Sequence, residues 1–467
     1  MNSIPRSKTP VILQNLQWVF NPISYMETNF QRYGDLFQAE IAPMNSEPMI
    51  LVNHPEGIRY LLTQDNSDEL TAPGDVNEIA RPFVGGNSLL LLSGKQHQQR
   101  RKLLMPPLHG ERMRVYGDLI CATTRHALNK IQVGDRFRAR DVICCITTRV
   151  ISQAVFGLSE SHDPGGNDPR IRANGSQEID HQLEQRLAEW VNLISTPLTS
   201  VFFFFPSLMI DLGPRSITGR MRHTLRETDR LLYAKIRDSR AQLDPERTDV
   251  LSLLLNAQDE QGEGLSDQEL RDELFTLLMA GHDTTANALT WALYWLHLYP
   301  TIHERLLEEI KPWYQSSDFT AISQLPYLKA FCQETLRIYP GPVTFPRRVE
   351  KDIQLMGRDI KAGVLLVGCV YLVHHREELY PNPNHFRPER FIERQFSPYE
   401  FLPFGGGQRR CIGAALAMYE MTLVLKTLLE TCELELAEQP PIKPQRRGGI
   451  LAPSDGVWLK KVSDRPA

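Results

Sequence analysis

Several common protein classes are excluded by what this chain of 467 residues lacks. Its seven cysteines are odd in number, scattered and free of any C-x-x-C spacing, which argues against zinc and iron–sulfur centres and favours free thiols. The 52 basic and 56 acidic residues nearly balance, with a net charge of -4, so the totals do not indicate a nucleic-acid partner. No internal repeat and no convincing linker is visible, and we therefore expect one large domain.

Long apolar runs are also missing from the sequence. The longest aromatic run, Phe202 to Phe205, is stopped by Pro206, whereas a membrane-spanning helix needs about 20 apolar residues. No secretory signal precedes the first predicted elements. We therefore expect a monomeric cytoplasmic protein without a transmembrane anchor, in which the Phe202 to Phe205 run either belongs to the core or contacts a membrane surface peripherally.

The most informative stretch that is present is a glycine-rich loop ending in a cysteine, Phe404 to Gly413, with the sequence FGGGQRRCIG. Glycine lets the backbone adopt positive φ and lets a flat ligand come close. The apolar run Ala414 to Leu429 predicts a buried helix, so Cys411 would lie beside the free N–H groups at its start. These groups, with Arg409 and Arg410, should lower the pKa of the thiol and favour a metal-binding thiolate. The alternative is a buried structural cysteine.

Hydrophobic periodicity and chain breakers predict a mainly helical protein with short strands near both ends. Ser266 and Glu269 form a capping box, and the apolar pattern then predicts one long helix that ends at Tyr299, before Pro300. The segment Ala280 to Thr285, AGHDTT, interrupts this pattern with small and polar residues. It is either a packing notch or a groove that holds water and moves protons.

Shorter elements are predicted on both sides of the long helix. The strands are expected at Leu36 to Ile41, Met49 to Val52, Arg347 to Gln354 and Val364 to Val373, and the other helices at Pro55 to Leu62, from Gly94 onward and at Leu328 to Tyr339. Ser159 to Ser176, which contains two Asp-Pro pairs, predicts a loop. Glu334 and Arg337 share one helix face, where an ordinary surface ion pair is the alternative to a special role.

Four motifs stand in a fixed order along the chain: Asp283-Thr284, Glu334-x-x-Arg337, Pro388-Glu389-Arg390-Phe391 and the cysteine loop. The loop matches the pattern F-x-x-G-x-R-x-C-x-G at every fixed position, and Ala417 follows as expected. On these motifs the chain resembles the cytochrome P-450 family of haem-thiolate monooxygenases, from residue 94 to residue 450.

The resemblance implies a mainly α fold with small β-sheets, in a single triangular-prism-like domain. The haem is expected between the long central helix and the helix that follows the cysteine loop. Within residues 1–467, the family pattern implies an N-terminal strand-containing part at 1–66, a helical part at 67–330 with the central helix at 266–299, and a haem-binding part at 331–467.

By the same resemblance the cofactor is heme b, protoporphyrin IX iron, and Cys411 is the axial ligand of the iron. Phe404 would shield the sulfur. The loop positions implied in haem binding also include Gly405, Gly413 and Ala417.

The haem propionates are expected to contact basic side chains from three parts of the chain. His97 stands four residues before Arg101, at a position where the family more often has Trp, and Arg409 matches the arginine of the loop pattern. Of Arg347 and Arg348 only one can face the haem if the segment is a strand, and we expect Arg347. A second implied group, the buried network of Glu334, Arg337 and Arg390, would anchor the irregular stretch before the loop.

In the central helix, Asp283 and Thr284 match the acid–alcohol pair that supplies protons during dioxygen activation, and Gly281 would leave room for dioxygen. The sequence contains no flavin or nicotinamide motif, so electrons from NAD(P)H are expected to arrive through a separate ferredoxin or flavodoxin with its reductase. The basic residues expected to form the docking patch are Lys95, Arg100, Lys102, Arg410 and Lys426.

The substrate is expected to be a hydrophobic small molecule, because the candidate contact positions are mostly apolar. These candidates are Phe83, Met279, Ala280, Val343, Thr344 and Ile450. Likeness to bacterial fatty-acid hydroxylases in the AGHDTT segment favours a long-chain fatty acid. A sesquiterpene is the alternative substrate, and a haem-binding sensor without turnover is the alternative class, which the proton-delivery pair disfavours.

Overall fold

The computed structural model of the protein describes residues 4–41, 48–108, 110–157, 175–194, 213, 216–242, 247, 249–258, 262–438 and 440–465. Its helices are α1 (Val11–Phe20), α2 (Pro22–Tyr33), α3 (Pro55–Thr63), α4 (Arg81–Val84), α5 (Gly94–Leu104), α6 (Val115–Asn129), α7 (Ala139–Phe156), α8 (Gly175–Ile194), α9 (Ile217–Ala241), α10 (Val250–Asn256), α11 (Asp267–Leu298), α12 (Pro300–Ile310), α13 (Phe319–Ile322), α14 (Pro326–Ile338), α15 (Val370–His374), α16 (Arg390–Glu393) and α17 (Ala414–Thr431).

The strands are short and lie mainly near the two ends of the chain. They are β1 (Leu36–Ala39), β2 (Met49–Val52), β3 (Leu70–Thr71), β4 (Arg136–Arg138), β5 (Thr344–Val349), β6 (Ile353–Leu355), β7 (Arg358–Ile360), β8 (Leu365–Cys369), β9 (Cys432–Leu436), β10 (Pro444–Arg447), β11 (Ile450–Pro453) and β12 (Trp458–Asp464). The predicted mainly α fold with small β-sheets is therefore confirmed.

Helix α11, called the central helix below, begins as the sequence predicts. The Ser266 side chain accepts from the Glu269 backbone N–H, and the Glu269 carboxylate accepts from the Ser266 backbone N–H, which completes the capping box. The helix ends one residue before Tyr299. It packs against α7, α9, α14 and α17. The C-terminal half of the helix contributes many side chains to the hydrophobic core, where Trp295 stacks on Phe386 with ring centroids 5.0 Å apart.

The largest sheet has the strand order β1-β2-β8-β5-β3. Its β2 and β8 strands run parallel, with Met49 opposite Leu365, and β5 pairs antiparallel to β8 with Thr344 opposite Cys369. A second sheet, β4-β12-β9, ties the start of α7 and the end of α17 to the C-terminal strand. These sheets frame the helical body and position the turn before β5 and the hairpin β10-β11.

Two predicted strands are wrong at their C-terminal ends. The predicted strand Arg347 to Gln354 stops at Val349, and residues 353–360 form the separate hairpin β6-β7, whose turn has Met356 and Gly357 at positive φ. The predicted strand Val364 to Val373 stops at Cys369, and residues 370–374 are helical. Since β5 begins opposite Cys369, no neighbouring strand remains there to pair with the apolar residues that follow.

Some expectations concern residues that the structure does not describe. The Phe202 to Phe205 run lies outside the described residues, as does the predicted loop Ser159 to Ser176 up to its last two residues, which begin α8. Of the helices within the described ranges, none is both long enough and apolar enough to cross a membrane.

Candidate active site

The cysteine loop turns back on itself so that its cysteine opens towards a cleft. Gly405 has φ of 64°, and the Cys411 backbone N–H donates to the Phe404 carbonyl at 2.9 Å, which closes the loop. An added Cβ at Gly405 would meet no atom within 4 Å, so this side of the loop borders open space. The Cys411 side chain is exposed, and Gly413 immediately precedes α17, called the cysteine helix below.

The thiol environment differs from the sequence-based expectation. The backbone of Gly413, at the start of the cysteine helix, bonds to Cys411 and lowers the pKa of its thiol, and Arg101 and Arg410 act in the same direction. Burial of the surroundings nevertheless outweighs these effects and raises the pKa of Cys411 above its ordinary value. The expected lowering by the helix start and Arg410 is present, with Arg101 acting where Arg409 was expected to act, but burial is the larger effect on the pKa of the thiol. A metal cation at the sulfur would supply the missing stabilisation of the thiolate.

Asp65 fixes the cysteine loop to the sheet. Its carboxylate accepts from Arg347 at 2.8 Å and from the Gln408 backbone N–H at 2.9 Å, and Arg347 also donates to the Gly406 carbonyl at 3.0 Å. Gly407 must be glycine here, because it has φ of 62° and an added Cβ would lie 2.0 Å from a carboxylate oxygen of Asp65. Nothing in the local sequence around Asp65 distinguishes it from an ordinary turn aspartate.

The predicted propionate partners form one cationic group beside the loop. Burial, together with the charges of Arg347 and Arg101, lowers the pKa of Arg409 to about 10. Burial, together with the charges of Arg409, Arg101 and Arg347, lowers the pKa of His97 to about 4. These basic side chains repel one another. Among the described contacts, the Asp65 carboxylate bonds directly to one of them, Arg347. Two carboxylates of a haem would neutralise this excess, so the donor set fits the predicted cofactor.

Arg409 and Arg348 have other partners in this structure. The guanidinium of Arg409 donates to the carbonyls of Ala72, Leu89 and Leu90 at 3.1, 2.9 and 3.3 Å, and also to that of Leu92. Arg348 points away from Arg347 and pairs with Asp75 at 3.0 Å, as strand alternation requires. The inward member of the pair is thus Arg347, which is almost fully buried, and its contact with a propionate stays a prediction.

The central helix exposes one narrow face within an otherwise buried stretch. The accessible residues along this stretch are Thr276, Met279, Ala280, Gly281, Asp283 and Thr284, and most of them are spaced three or four apart. Leu277, Leu278 and His282 between them are buried. A helix that is surrounded by other elements can be accessible along one face only where that face borders a cavity. The predicted acid–alcohol pair therefore lies on a cavity wall, together with the predicted substrate contacts Met279 and Ala280.

The AGHDTT segment is continuous helix and has the packing notch that was one of the two alternatives, whereas its role in moving protons stays a prediction. The Thr284 hydroxyl donates to the Ala280 carbonyl at 2.6 Å, one turn earlier. Gly281 serves close packing, because an added Cβ would lie 2.8 Å from Ile151 of α7. Ile151 occupies the space along the Cβ direction of Gly281, and room for dioxygen at this partly exposed glycine stays a prediction. Asp283 makes an ion pair with Arg140, described further below.

Glu334 joins two arginines in a buried network. Its carboxylate receives Arg337 at 2.7 and 2.9 Å and Arg390 at 3.0 Å, and all three side chains are nearly inaccessible. Arg337 also donates to the carbonyls of His374 and Pro383, both at 2.8 Å. The pair is therefore not the surface ion pair that was the alternative, and it ties α14 to the irregular stretch that leads to the cysteine loop.

The remaining predicted substrate contacts fall into two groups. The Phe83 ring packs on Trp190 with a centroid distance of 5.6 Å, and Trp190 packs on Phe275 with a centroid distance of 5.7 Å. Met279 contacts the same cluster. Ile450 makes an isolated β-bridge with Pro342, next to the buried Val343 and the half-buried Thr344. Hydrogen bonds from Asn287 and Trp291 to the Leu451 carbonyl, at 2.7 and 3.0 Å, hold this second group on the central helix.

The basic patch expected on the cysteine side is smaller than the sequence indicates. Lys95, Lys102 and Arg410 are exposed. Arg100 is buried and bonds to Glu269 and Glu273, and Lys426 is buried and pairs with Glu430 at 2.6 Å. Including these two residues in a surface patch was wrong, because both are buried and carboxylate partners neutralise their charges.

The comparisons with known proteins agree with this geometry. A family model described as Cytochrome P-450 matches residues 5–460. Cytochrome P-450 135B1 of Mycobacterium tuberculosis is 32% identical over 441 residues, covering 93% of this chain and 86% of the relative. Cytochrome P-450 135A1 of the same species is 28% identical over 466 residues, covering 99% and 95%. The retinoic acid-bound cyanobacterial CYP120A1 superposes with a TM-score of 0.80 at 23% identity, covering 97% of this chain and 96% of that chain.

Proposed function

The chain belongs to the cytochrome P-450 family of monooxygenases, and from this we propose that it hydroxylates a long-chain fatty acid. One atom of O2 enters the substrate and the other leaves as water, with two electrons that NAD(P)H supplies through a separate redox partner. A haem held by Cys411 supplies the oxidising chemistry, and its thiolate ligand favours O–O cleavage. The protein residues bind the substrate, exclude water and move protons.

Proton movement is assigned to two residues on the cavity face of the central helix. Thr284 places its hydroxyl on this face while bonding to the Ala280 carbonyl at 2.6 Å. Asp283, the preceding residue, is partly exposed on the same face and can exchange protons with solvent. In this assignment the threonine holds the proton at the reacting oxygen and the aspartate replenishes it.

The apolar cluster above this pair is the observation that carries the substrate proposal. Its fully or nearly buried members are Phe83, Trp190, Met221 and Phe275, and the side chains packed on it are Leu193, Ile217, Leu225 and Met279. None of these side chains is ionisable, and Met279 belongs to the cavity face. Met279 presents this apolar cluster to the cavity, and an apolar wall of this kind favours an extended hydrocarbon chain, whose burial contributes about 0.8 kcal/mol per CH2 group.

A sesquiterpene remains the second candidate because of one comparison. CYP120A1 holds retinoic acid, an isoprenoid chain that ends in a carboxylate. The same apolar cluster would accept a branched hydrocarbon of that kind. Both candidates share a hydrophobic body and differ in branching, which a titration can distinguish.

The test is a spectral titration of the haem-loaded protein with saturated fatty acids of increasing length and, separately, with sesquiterpenes. Fatty acids should displace the water ligand of the iron with affinity that rises with chain length, and a surrogate ferredoxin system should then give hydroxylated acid. A response to sesquiterpenes alone would replace the first candidate by the second. Reductant consumption that stays at background with every ligand would point instead to a haem-based sensor.

The electron donor is proposed to be a ferredoxin or flavodoxin that docks on the cysteine side. Lys95, Lys102 and Arg410 are exposed there and can attract an acidic partner. Changing all three to glutamine should slow reduction of the haem and weaken its dependence on ionic strength, whereas the same change at the buried, paired Lys426 should mainly reduce stability.

A further inference from the structure

The Asp283 carboxylate of the predicted acid–alcohol pair is held by a residue that lies 143 positions earlier in the chain. Arg140, at the start of α7, donates to Asp283 at 2.6 Å, and the arginine is only 4% exposed whereas the aspartate is 22% exposed. Arg140 itself is fixed by its backbone, because its N–H donates to the Gly456 carbonyl at 3.0 Å and the preceding N–H of Ala139 donates to Val457 at 2.7 Å. The pair thus joins the accessible face of the central helix to the start of α7.

Behind the pair runs a polar seam between α7 and the central helix, formed by Arg140, Cys144, His282, Asp283 and Arg447. Burial lowers the pKa of His282 to about 4, so its ring is neutral at neutral pH, and the ring bonds to the backbone of Cys144. Two buried atoms of this seam, Arg140 Nη1 and His282 Nε2, have no hydrogen-bond partner within the described part of the chain. Buried polar atoms of this kind are ordinarily satisfied by ordered water.

These contacts, together with the proposed monooxygenase function on which the inference rests, lead to a role for Arg140. We propose that Arg140 is a positioning residue that holds the Asp283 carboxylate between the cavity face and the polar seam, so that protons reach Thr284 from water in the seam. Water in the seam gives a proton to the carboxylate, the carboxylate passes one to the Thr284 oxygen, and the Thr284 hydroxyl gives its own proton to the reacting oxygen. Solvent returns the proton that the seam water has lost, and no other bond changes. The seam lies on the α7 side of the central helix, so this supply avoids the apolar cluster that faces the substrate.

The alternative is that the ion pair only joins two helices. Gly281 and Ile151 already bring α7 and the central helix into close contact. A purely structural pair would affect folding stability, and it would leave unchanged the share of reducing equivalents that ends in product.

The experiment compares haem-loaded Arg140→Met, Asp283→Asn and the double variant, with Arg138→Met as the matched control. Arg138 also lies at the start of α7, and it makes an exposed pair with Asp141 at 3.8 Å instead of bonding to Asp283. Product and peroxide per NAD(P)H are measured with a surrogate ferredoxin system. We expect Arg140→Met to reduce product yield per NAD(P)H about tenfold, a smaller loss than the 10²–10⁴-fold attributed to a direct acid–base group.

Two further readouts separate positioning from structure. The double variant should be no less coupled than Asp283→Asn alone, because the arginine acts through the aspartate. In infrared spectra, the carboxylate band that Asp283→Asn removes should move in Arg140→Met and stay in place in Arg138→Met. Arg140→Lys, which keeps the charge, should recover most of the coupling. Arg140→Gln carries the same expectation as Arg140→Met should the latter fail to fold.

The outcomes are distinct for the two levels of the proposal. Full coupling and an unmoved carboxylate band in Arg140→Met, while Asp283→Asn is uncoupled, would overturn the role of Arg140 and leave the proposed function intact. Full coupling in both variants would overturn the proton role of Asp283 itself.

Discussion

The pKa of the Cys411 thiol depends on the groups that surround it in the folded protein. Local sequence correctly places Cys411 next to an N–H at the start of a helix and next to Arg410, both of which lower the pKa of the thiol. Local sequence could not weigh these effects against burial, which acts in the opposite direction and is stronger. This balance depends on how distant parts of the chain pack around the loop, so a single motif predicts the donor atom and not its proton affinity.

Thr284 offers the most direct residue-scale prediction. Thr284→Ala should retain the haem and the substrate-induced spectral change, since the side chain is partly exposed on the cavity face and its hydroxyl bonds to the Ala280 carbonyl of the same helix. Without the hydroxyl, reducing equivalents should leave as peroxide instead of product, measured as peroxide and product per NAD(P)H. Thr284→Ser keeps the hydroxyl and serves as the control. A fully coupled Thr284→Ala protein would contradict the assigned role.

Glu420, on the cysteine helix, is a buried acid that no motif-based interpretation identified. Burial alone raises the pKa of its carboxyl to about 8, and its Oε1 atom has no hydrogen-bond partner among the described residues. The folded protein then retains a proton that the unfolded chain loses above its ordinary pKa of 4.5. The free energy of unfolding should therefore fall as the pH rises from 4.5 to about 8, by at most about 1.4 kcal/mol per pH unit.

The isosteric Glu420→Gln variant tests this dependence. It should be at least as stable as the parent at pH 8 and should lack this contribution to the pH slope, as determined by denaturant unfolding between pH 5 and pH 8. Parallel pH profiles of the two proteins would show that Glu420 is ionised and paired.

At the scale of elements, the central helix shows which features follow from local sequence. Its capping box, its length and its stop are all encoded within a few residues of each end, and all were predictable. The extent of its open face was not predictable from local sequence. Whether Thr276, Met279 and Ala280 are covered depends on how other elements pack around the helix. The strand errors have the same origin, since the ends of β5 and β8 are set by each other.

Gly281 tests the packing of the central helix on α7. Gly281→Ala should improve helix propensity by about 1 kcal/mol but crowd Ile151, whose nearest atom would lie 2.8 Å from the new Cβ. Overpacking costs about 1 to 3 kcal/mol, so we expect a net loss of up to about 2 kcal/mol in unfolding free energy. Adding Ile151→Val removes the crowding methyl group and should make Gly281→Ala neutral or stabilising. A stabilising single variant would show that Ile151 moves aside freely.

At the scale of the whole molecule, the Glu334 network joins the helical body to the long irregular stretch that carries the cysteine loop. Glu334→Gln leaves Arg337 and Arg390 buried beside a neutral side chain. Loss of one partner of a buried ion pair costs about 3 to 5 kcal/mol, so the variant should unfold at much lower denaturant and lose haem, measured by the absorbance of its carbon monoxide complex.

The control for this prediction lies in the same stretch. Glu393 pairs with Arg387 on the surface, with both side chains about half exposed, and Glu393→Gln should cost at most about 1 kcal/mol and keep the haem. Equal losses in the two variants would mean that the network does not anchor the loop.

The sequence by itself determined the family-defining loop and the start of the central helix, and its motifs predict Cys411 as the donor to the iron and Asp283-Thr284 as the acid–alcohol pair. These depend on turns, caps and glycine conformations that act over at most a few residues. Only the tertiary structure decided that Asp65 holds Arg347 and the loop, that Arg140 holds Asp283, and that Arg100 and Lys426 are buried. Such pairs join residues that are far apart in the chain, and their energies depend on burial, which no local pattern measures.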